Sequence, residues 1–221
     1  MSLAPVLPEI QILAERGLLY PPVSIVLVET TPNTNPEMLF LYLVHRRVEL
    51  SEGEILVVSL LEDFETSLET SIVPSPLIAK FRGTLEHPRI HYRFFEKTDE
   101  MMRALELHYK DASFIYVYMA PPFQEVEVAV GKVLSFIRRI RSVITRTFGL
   151  TLFIDATQAK TMQGRELEYL ADIVFELVES GEGSPVSVIR VKRTKYQPKP
   201  DVSIEYSIGR EDIVMQVVRS I

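Results

Sequence analysis

Apolar residues along the chain alternate between short runs typical of buried strands and longer stretches with helical spacing. Six short apolar or alternating runs predict strands, and they lie at 23–28, 54–61, 89–95, 113–119, 150–156 and 171–178. Between them, apolar residues three and four apart predict helices, at 36–47, 64–72, 99–109, 126–148 and 165–169. Regular alternation of strand and helix predicts an α/β fold, with a mostly parallel sheet covered by helices on both faces.

Proline and glycine residues mark where several of these elements begin and end. Pro36 fits the first turn of a helix, because proline lacks only an N–H that would have no helical partner there. Pro74 and Pro76 are expected to break the helical stretch 64–72, and Gly149 to end the helix 126–148. The apolar face of that long helix is predicted to include Val130, Val133, Leu134, Ile137, Ile140, Val143 and Ile144.

The last part of the chain has a different pattern. Three strand-like runs, at 185–194, 201–208 and 212–218, are joined by the turn sequences YQPKP and GRED. These joints are too short for crossover helices, so the three runs predict antiparallel hairpins at one edge of the sheet. No linker or repeat divides the chain, and a single domain over 1–221 is expected.

Composition narrows the possible functions. The chain has 221 residues, 47% of them hydrophobic, which is typical of a globular protein, and a net charge of −6, which argues against a mainly electrostatic nucleic-acid binder. The absence of cysteine excludes disulfides and thiolate chemistry, and with no apolar run of membrane-spanning length we expect a cytoplasmic protein. His87 and His91 are four apart, but Pro88 and the strand pattern around them do not favour a metal pair.

The first predicted strand-to-helix turn, within VETTPNTNPEMLF, lies where many α/β proteins hold phosphate. A working phosphate loop needs glycines that expose backbone N–H groups, a lysine, and a serine or threonine for magnesium. This turn has no glycine and no lysine. Glu29 and Glu37 would repel a polyphosphate, and Pro32 and Pro36 each remove a backbone donor.

Several stretches taken together resemble the KaiC-like and RecA-like ATPase superfamily. GLLYPPVSIVLVE is similar to the family's Pro-Pro-Gly lead-in to its first strand and phosphate loop, and LTLFIDATQ and YLADIVFEL are similar to two later strands. The matching stretches cover nearly the whole chain in the family's order. The resemblance implies a RecA/KaiC-like fold that has lost its phosphate loop, the Walker A motif.

The resemblance also implies where nucleotide chemistry would lie. Glu62 and Asp63 follow the second strand, where the family has a paired acid that helps to activate the attacking water. Tyr118 and Met119 occupy the region of the magnesium-binding aspartate, so this anchor, the Walker B motif, is expected to be missing as well. Asp155 is an alternative metal ligand, but without phosphate groups its magnesium shell would be incomplete.

A late basic strand resembles the family's strand bearing Lys-x-Arg-Gly-Thr. Arg190, Lys192 and Arg193 lie at corresponding positions, with Arg193 in place of the glycine. Family members form head-to-tail rings in which this strand reaches the neighbour's cleft. The resemblance therefore implies a homo- or hetero-oligomer in which these three residues face Glu62 and Asp63 of an adjacent subunit.

Three functions follow from these observations. The leading hypothesis is a non-catalytic interaction, assembly or regulatory subunit, with no catalytic, cofactor-binding or metal-binding residues and no cofactor. The second is an ATP-binding or hydrolysing enzyme with altered motifs, acting through Glu62, Asp63 or Asp155. The third is a nucleic-acid-binding accessory protein, which the net acidity disfavours. Its surface would be the long helix, which carries Arg138, Arg139, Arg141 and Arg146.

Overall fold

The computed structural model describes most of the chain. The described residues are 4–5, 10, 19–20, 25–31, 33–70, 73–121, 124–147, 149–181, 186–195 and 203–218. Pro32 lies outside them, as do the side chains of Arg141, Val143, Ile144 and Arg146.

The described residues form eleven strands and seven helices. The strands are β1 Ala4–Pro5, β2 Leu19–Tyr20, β3 Ile25–Thr30, β4 Ile55–Leu60, β5 Ile90–Phe95, β6 Phe114–Met119, β7 Gly149–Asp155, β8 Ile173–Glu179, β9 Ser187–Thr194, β10 Ser203–Ile208 and β11 Ile213–Val218. The helices are α1 Pro36–Leu50, α2 Phe64–Thr70, α3 Ser75–Leu85, α4 Thr98–His108, α5 Gln124–Thr147, α6 Ala156–Ala159 and α7 Met162–Leu170.

Nine of the strands form one sheet. Their order is β11-β10-β9-β8-β3-β7-β6-β4-β5. The six strands from β8 to β5 in this order are parallel, whereas β9, β10 and β11 are antiparallel to their neighbours. The predicted fold class, a mostly parallel sheet with antiparallel strands at one edge, is therefore confirmed. β1 and β2 pair separately.

Helices cover the sheet on both faces because alternate residues of each strand point to opposite sides. Val26 and Val28 of β3 belong to the hydrophobic cluster that includes α1, α2 and α3. Ile25 and Leu27 belong to the cluster on the other face, formed with α4, α5 and α7. The predicted apolar face of the long helix is confirmed at its described positions, Val130, Val133, Leu134, Ile137 and Ile140, all of which are buried.

The sequence analysis missed one helix. The helix before Pro74 and Pro76 ends at Thr70, in agreement with the expected break, but residues Ser75–Leu85 then form α3, which was not predicted. Pro76 lies in the first turn of this helix, where a proline costs no hydrogen bond, and Leu77, Phe81 and Leu85 then bury one face.

Two predicted boundaries also move. The first strand continues through Glu29 and Thr30, beyond the predicted end at residue 28, because both polar side chains find partners inside the protein. The first helix continues to Leu50, about one turn beyond the predicted end at residue 47. No helix in the described part of the chain has both the length and the apolar character needed to cross a membrane.

Candidate functional site

The candidate site lies beyond the carboxyl ends of the parallel strands, around the connection from β3 to α1. α1 packs on one face of the sheet, and the helices that follow the neighbouring strand β7 pack on the other. Adjacent strands whose helices leave to opposite faces open a crevice between their connections, and open α/β sheets bind ligands in such crevices. The residues around the β3–α1 connection therefore decide what this crevice can hold.

The turn between β3 and α1 is a compact structure with a buried centre. Asn33 and Asn35 have positive φ angles of 66° and 47°, a backbone conformation that asparagine tolerates better than most residues. Between them, Thr34 is completely buried, and its hydroxyl donates a hydrogen bond to the Thr31 carbonyl at 2.7 Å. The turn thus folds onto itself and against the protein interior.

Two hydroxyls from the C-terminal strands hold the carbonyl groups of this turn. Ser187 of β9 donates to the Thr34 carbonyl at 3.1 Å, and the Tyr206 hydroxyl of β10 donates to the same carbonyl. Tyr206 also reaches the Asn35 carbonyl at 3.1 Å. Ser187 and Tyr206 are directly opposite each other in the β9–β10 pair, so the antiparallel strands at the sheet edge fix the conformation of the first turn.

The backbone donors at the start of α1 are used within the chain. The N–H groups of Met38 and Leu39 donate to the Asn35 carbonyl at 3.1 and 3.4 Å, and Pro36 has no N–H. The carboxylate of Glu37 accepts a hydrogen bond from its own N–H. On the strand side, Thr31 N–H donates to a carbonyl of β8 at 3.3 Å. An anion at this helix start would have to displace these contacts.

Glu37 gives the turn an unfavourable negative charge. Burial raises the pKa of its carboxyl group, and the nearby charge of Glu62 raises it further. The same two acids contribute to the raised pKa of Tyr118, for which burial is again the main cause. These three side chains therefore share one region at the carboxyl ends of β4 and β6, and its acidic charge disfavours phosphate.

Glu29 is nearly completely buried, at 3% exposure, and forms an ion pair with Lys192. The Lys192 ammonium lies 2.9 and 3.1 Å from its two oxygens and 3.3 Å from an oxygen of Glu168. Burial raises the pKa of Glu29, although Lys192 opposes the shift. Burial disfavours the charge of Lys192, but the bond to Glu29 and the charge of Glu168 outweigh it, and the Lys192 pKa is raised as well.

The predicted acid pair, Glu62 and Asp63, follows β4 and begins α2. Asp63 accepts hydrogen bonds from the Glu65 N–H at 3.2 Å and the Thr66 hydroxyl at 2.8 Å, which is the arrangement of a helix N-cap. The Tyr92 hydroxyl also donates to Asp63, at 3.3 Å. Glu62 accepts a hydrogen bond from the Ser67 hydroxyl. Both acids have structural contacts within this helix start.

The end of β6, where the resemblance implies a magnesium-binding aspartate, is aromatic and apolar. Tyr118 is 3% exposed, and its ring packs against Phe40 and Phe64 with centroid distances of 5.2 and 5.1 Å. Met119 is completely buried. Tyr118 is therefore a residue of the hydrophobic core.

Asp155, the alternative metal ligand, ends β7 and caps α6. Its carboxylate accepts a hydrogen bond from the Thr157 N–H at 2.7 Å and another from the Thr157 hydroxyl, and the residue is 2% exposed. Within the described ranges, no three histidine or acidic side chains are grouped so that they could hold a metal ion.

The basic residues singled out from the sequence differ in their surroundings. Arg193 donates to the Glu168 carbonyl and lies over the Tyr169 ring, 5.5 Å from its centroid. Lys192 is paired as described above. The Arg190 side chain, by contrast, is exposed and makes no hydrogen bond or ion pair with the described residues. Of the three, Arg190 has the side chain most available to another molecule.

The arginines of the long helix are paired with acids on neighbouring helices. Arg138 lies 2.6 Å from Glu166 of α7, and Arg139 forms an ion pair with Glu106 of α4. Lys132, on the same helix, pairs with Asp99 of α4. These contacts neutralise the described part of the basic stripe, and they reduce its suitability as a phosphate-binding surface.

Comparisons with known proteins support the fold. No protein-family model matches the chain, and no curated protein matches it. Among solved structures, a KaiC-like protein from the archaeon Pyrococcus horikoshii is 14% identical over 87% of this chain and 89% of its own, with a TM-score of 0.60. The flagellar accessory protein FlaH from Methanocaldococcus jannaschii is 14% identical over 98% of this chain and 100% of its own, with a TM-score of 0.64.

A third structural neighbour is the RadB recombinase. It is 14% identical over 87% of this chain and 90% of its own, with a TM-score of 0.54. At this identity the likeness concerns the fold alone, and the expected RecA/KaiC-like fold is confirmed.

Proposed function

We propose that the chain acts as one RecA/KaiC-like unit with an assembly or regulatory role and without a working triphosphate site. The observation that carries this proposal is the internal closure of the β3–α1 turn. A phosphate loop works through unpaired N–H groups that point at the ligand. Here the N–H groups of Thr31, Met38 and Leu39 bond to carbonyls, and Tyr206 and Ser187 anchor the buried Thr34 carbonyl.

The charges around the turn support the same proposal. Glu37 and Glu62 lie near enough to each other beside the β3–α1 crevice for the charge of Glu62 to raise the pKa of Glu37. Lys192, a nearby cation, is already bound to Glu29 and Glu168. A triphosphate in this crevice would face two carboxylates without a free lysine among the described residues of the turn.

The metal chemistry of an ATPase has little support as well. Asp155 caps α6, Asp63 caps α2, and Tyr118 occupies the end of β6. An ATPase with altered motifs would have to bind magnesium through Asp155, Asp63 or Glu62, all of which already accept hydrogen bonds within the chain. A steady-state ATPase measurement tests this alternative, and we expect no magnesium-dependent turnover above the rate without protein.

For the assembly role, we propose a head-to-tail contact between Arg190 of one copy and the Glu62–Asp63 corner of another. Arg190 is favoured over Lys192 and Arg193 because those two side chains have contacts within their own chain. Opposite charges across such a contact favour one orientation and partner. Two structural neighbours, an accessory protein and a recombinase, illustrate that this fold serves different tasks.

Light scattering at physiological salt tests the contact. We expect an oligomer whose association weakens in the single variants Arg190→Glu and Glu62→Arg and recovers in the double variant, where the charges are exchanged. Arg103→Glu, which changes an exposed arginine on α4, is the matched control and should not change the mass. A wild-type monomer at high micromolar concentration would refute the assembly.

A further inference from the structure

Whereas the candidate site lies around the central strand β3, a small cavity lies at the β5 edge of the sheet. It has a volume of about 200 Å³ and is found near the start of the edge strand β5, beside the end of α4. Its lining consists of Leu56, His91, Arg93, His108, Asp111 and Ala112. A cavity of this size holds about six or seven waters at ~30 Å³ each, and so suits a small metabolite rather than a nucleotide.

The walls of this cavity carry opposite charges that do not meet. Arg93 and Asp111 both line it, but they form no ion pair with each other or with any other described residue. In the groove between α4 and α5, by contrast, Lys132 pairs with Asp99 and Arg139 with Glu106. The Arg93 guanidinium and the Asp111 carboxylate are therefore both available to a ligand that enters the cavity.

Arg93 and Asp111 lie on different walls of the cavity, formed by β5 and by the end of α4. Arg93 and His91 alternate along β5 and so lie on the same face of the edge strand, and Glu54 holds His91 at 2.9 Å. On the other side, Asp111 follows the end of α4, and its N–H donates to the His108 carbonyl at 3.1 Å. The carboxyl end of a helix carries a partial negative charge, which adds to that of Asp111.

The floor of the cavity is apolar. Leu56 of β4 and Ala112 are buried, at 1% and 6% exposure. A ligand that fits these three surfaces has a carboxylate for Arg93, an ammonium for Asp111 and the end of α4, and a short hydrocarbon body for Leu56 and Ala112.

We propose that this cavity is a binding site for a small zwitterionic aminocarboxylate, of the class of an α-amino acid with a short aliphatic side chain. The site is separate from the β3–α1 crevice and does not depend on the assembly proposed above. The ligand contacts both the edge strand β5 and the end of α4. Its carboxylate pairs with Arg93 and its ammonium pairs with Asp111.

The four histidines of the chain allow a direct test by nuclear magnetic resonance. Titration with L-valine should shift the imidazole signals of His91 and His108 and leave those of His45 and His87 unchanged, with a dissociation constant of about 1 mM. Isovalerate, which lacks the ammonium, and isobutylamine, which lacks the carboxylate, should each bind at least tenfold more weakly.

Variants locate the two charged contacts. Arg93→Gln and Asp111→Asn should each weaken valine binding at least tenfold, whereas Arg103→Gln, a matched change on α4, should leave it unaltered. Because the Arg93 and Asp111 side chains are exposed, we expect both variants to fold. Unchanged signals of His45 and His87, which lie outside the cavity, verify this. Equal affinity for valine and isovalerate, or no shift of His91 and His108 at 20-fold the expected constant, would overturn the proposal.

Discussion

The anchoring of the first turn by two hydroxyls leads to a double-mutant prediction. In Tyr206→Phe, the Thr34 carbonyl keeps the Ser187 hydroxyl, and the Asn35 carbonyl keeps two backbone donors. The loss should therefore be that of an ordinary net hydrogen bond, about 1 kcal/mol of unfolding free energy, and Ser187→Ala should cost a similar amount.

The double variant should cost more than the sum of the single changes. With both hydroxyls removed, the Thr34 carbonyl has no side-chain donor at a residue that is completely buried. An unsatisfied buried carbonyl costs about 1–3 kcal/mol. We expect a total of about 3–4 kcal/mol for the double variant, which leaves a coupling of about 1–2 kcal/mol between Ser187 and Tyr206.

Urea unfolding of the four proteins of the cycle, followed by circular dichroism, measures this coupling. Tyr169→Phe is the matched control, because Tyr169 is 72% exposed and the loss of its hydroxyl should change stability by less than about 0.5 kcal/mol. Strict additivity of the two single changes would refute the reasoning, since it would mean that Thr34 does not depend on both hydroxyls.

Three further predictions concern other parts of the fold. Gly164→Ala should lower the melting temperature, because the added Cβ would lie 2.0 Å from the Gln158 carbonyl oxygen. Gly83→Ala is the matched change, since its added Cβ would meet no neighbouring side chain or element within 4 Å. It should raise the unfolding free energy by about 0.4–1 kcal/mol in urea titrations. Lys192→Met should cost about 2–3 kcal/mol in the same assay, because it leaves the charge of Glu29 buried, and adding Glu29→Gln should recover part of the loss. Glu37→Gln should raise the melting temperature at pH 7, because the raised pKa of Glu37 means that its ionised form destabilises the folded state. The difference in melting temperature between variant and wild type should disappear below pH 4.5, where the wild-type carboxyl is protonated in both the folded and the unfolded state.

The layered architecture could be predicted from the sequence because it depends on local patterns. Short, nearly continuous apolar runs such as 113–119 and 150–156 indicate buried strands without reference to the rest of the chain. The missed helix α3 has a local cause. Pro76 was taken as a helix breaker, although the same residue is favourable in a first turn, and only the packing of Leu77 and Phe81 on the sheet distinguishes the two cases.

The candidate site was predictable only in its location. The lack of glycine and lysine in the first turn is a sequence fact, but the closure of that turn depends on Ser187 and Tyr206, 153 and 172 residues away from Thr34. No pattern in the sequence indicates that Ser187 and Tyr206, on two later strands, both donate hydrogen bonds to the Thr34 carbonyl. Strand pairing in the order β10-β9-β8-β3 brings Ser187 and Tyr206 beside the turn that follows β3.

The structural caps were hidden for a similar reason. An acid at the end of a strand is compatible with a metal ligand and with an N-cap, and the sequence does not distinguish these roles for Asp63 and Asp155. The contacts to Thr66 and Thr157 identify both acids as caps.

Calorimetric titration with ATP, with and without magnesium, tests the central claim most directly. The β3–α1 turn has no lysine, the N–H groups at the start of α1 are bonded within the protein, and the Thr34 carbonyl is held by two hydroxyls. We therefore expect ATP to bind with a dissociation constant no lower than about 1 mM under either condition. Micromolar ATP binding that requires magnesium would contradict the account, because it would mean that the β3–α1 turn opens to receive a triphosphate.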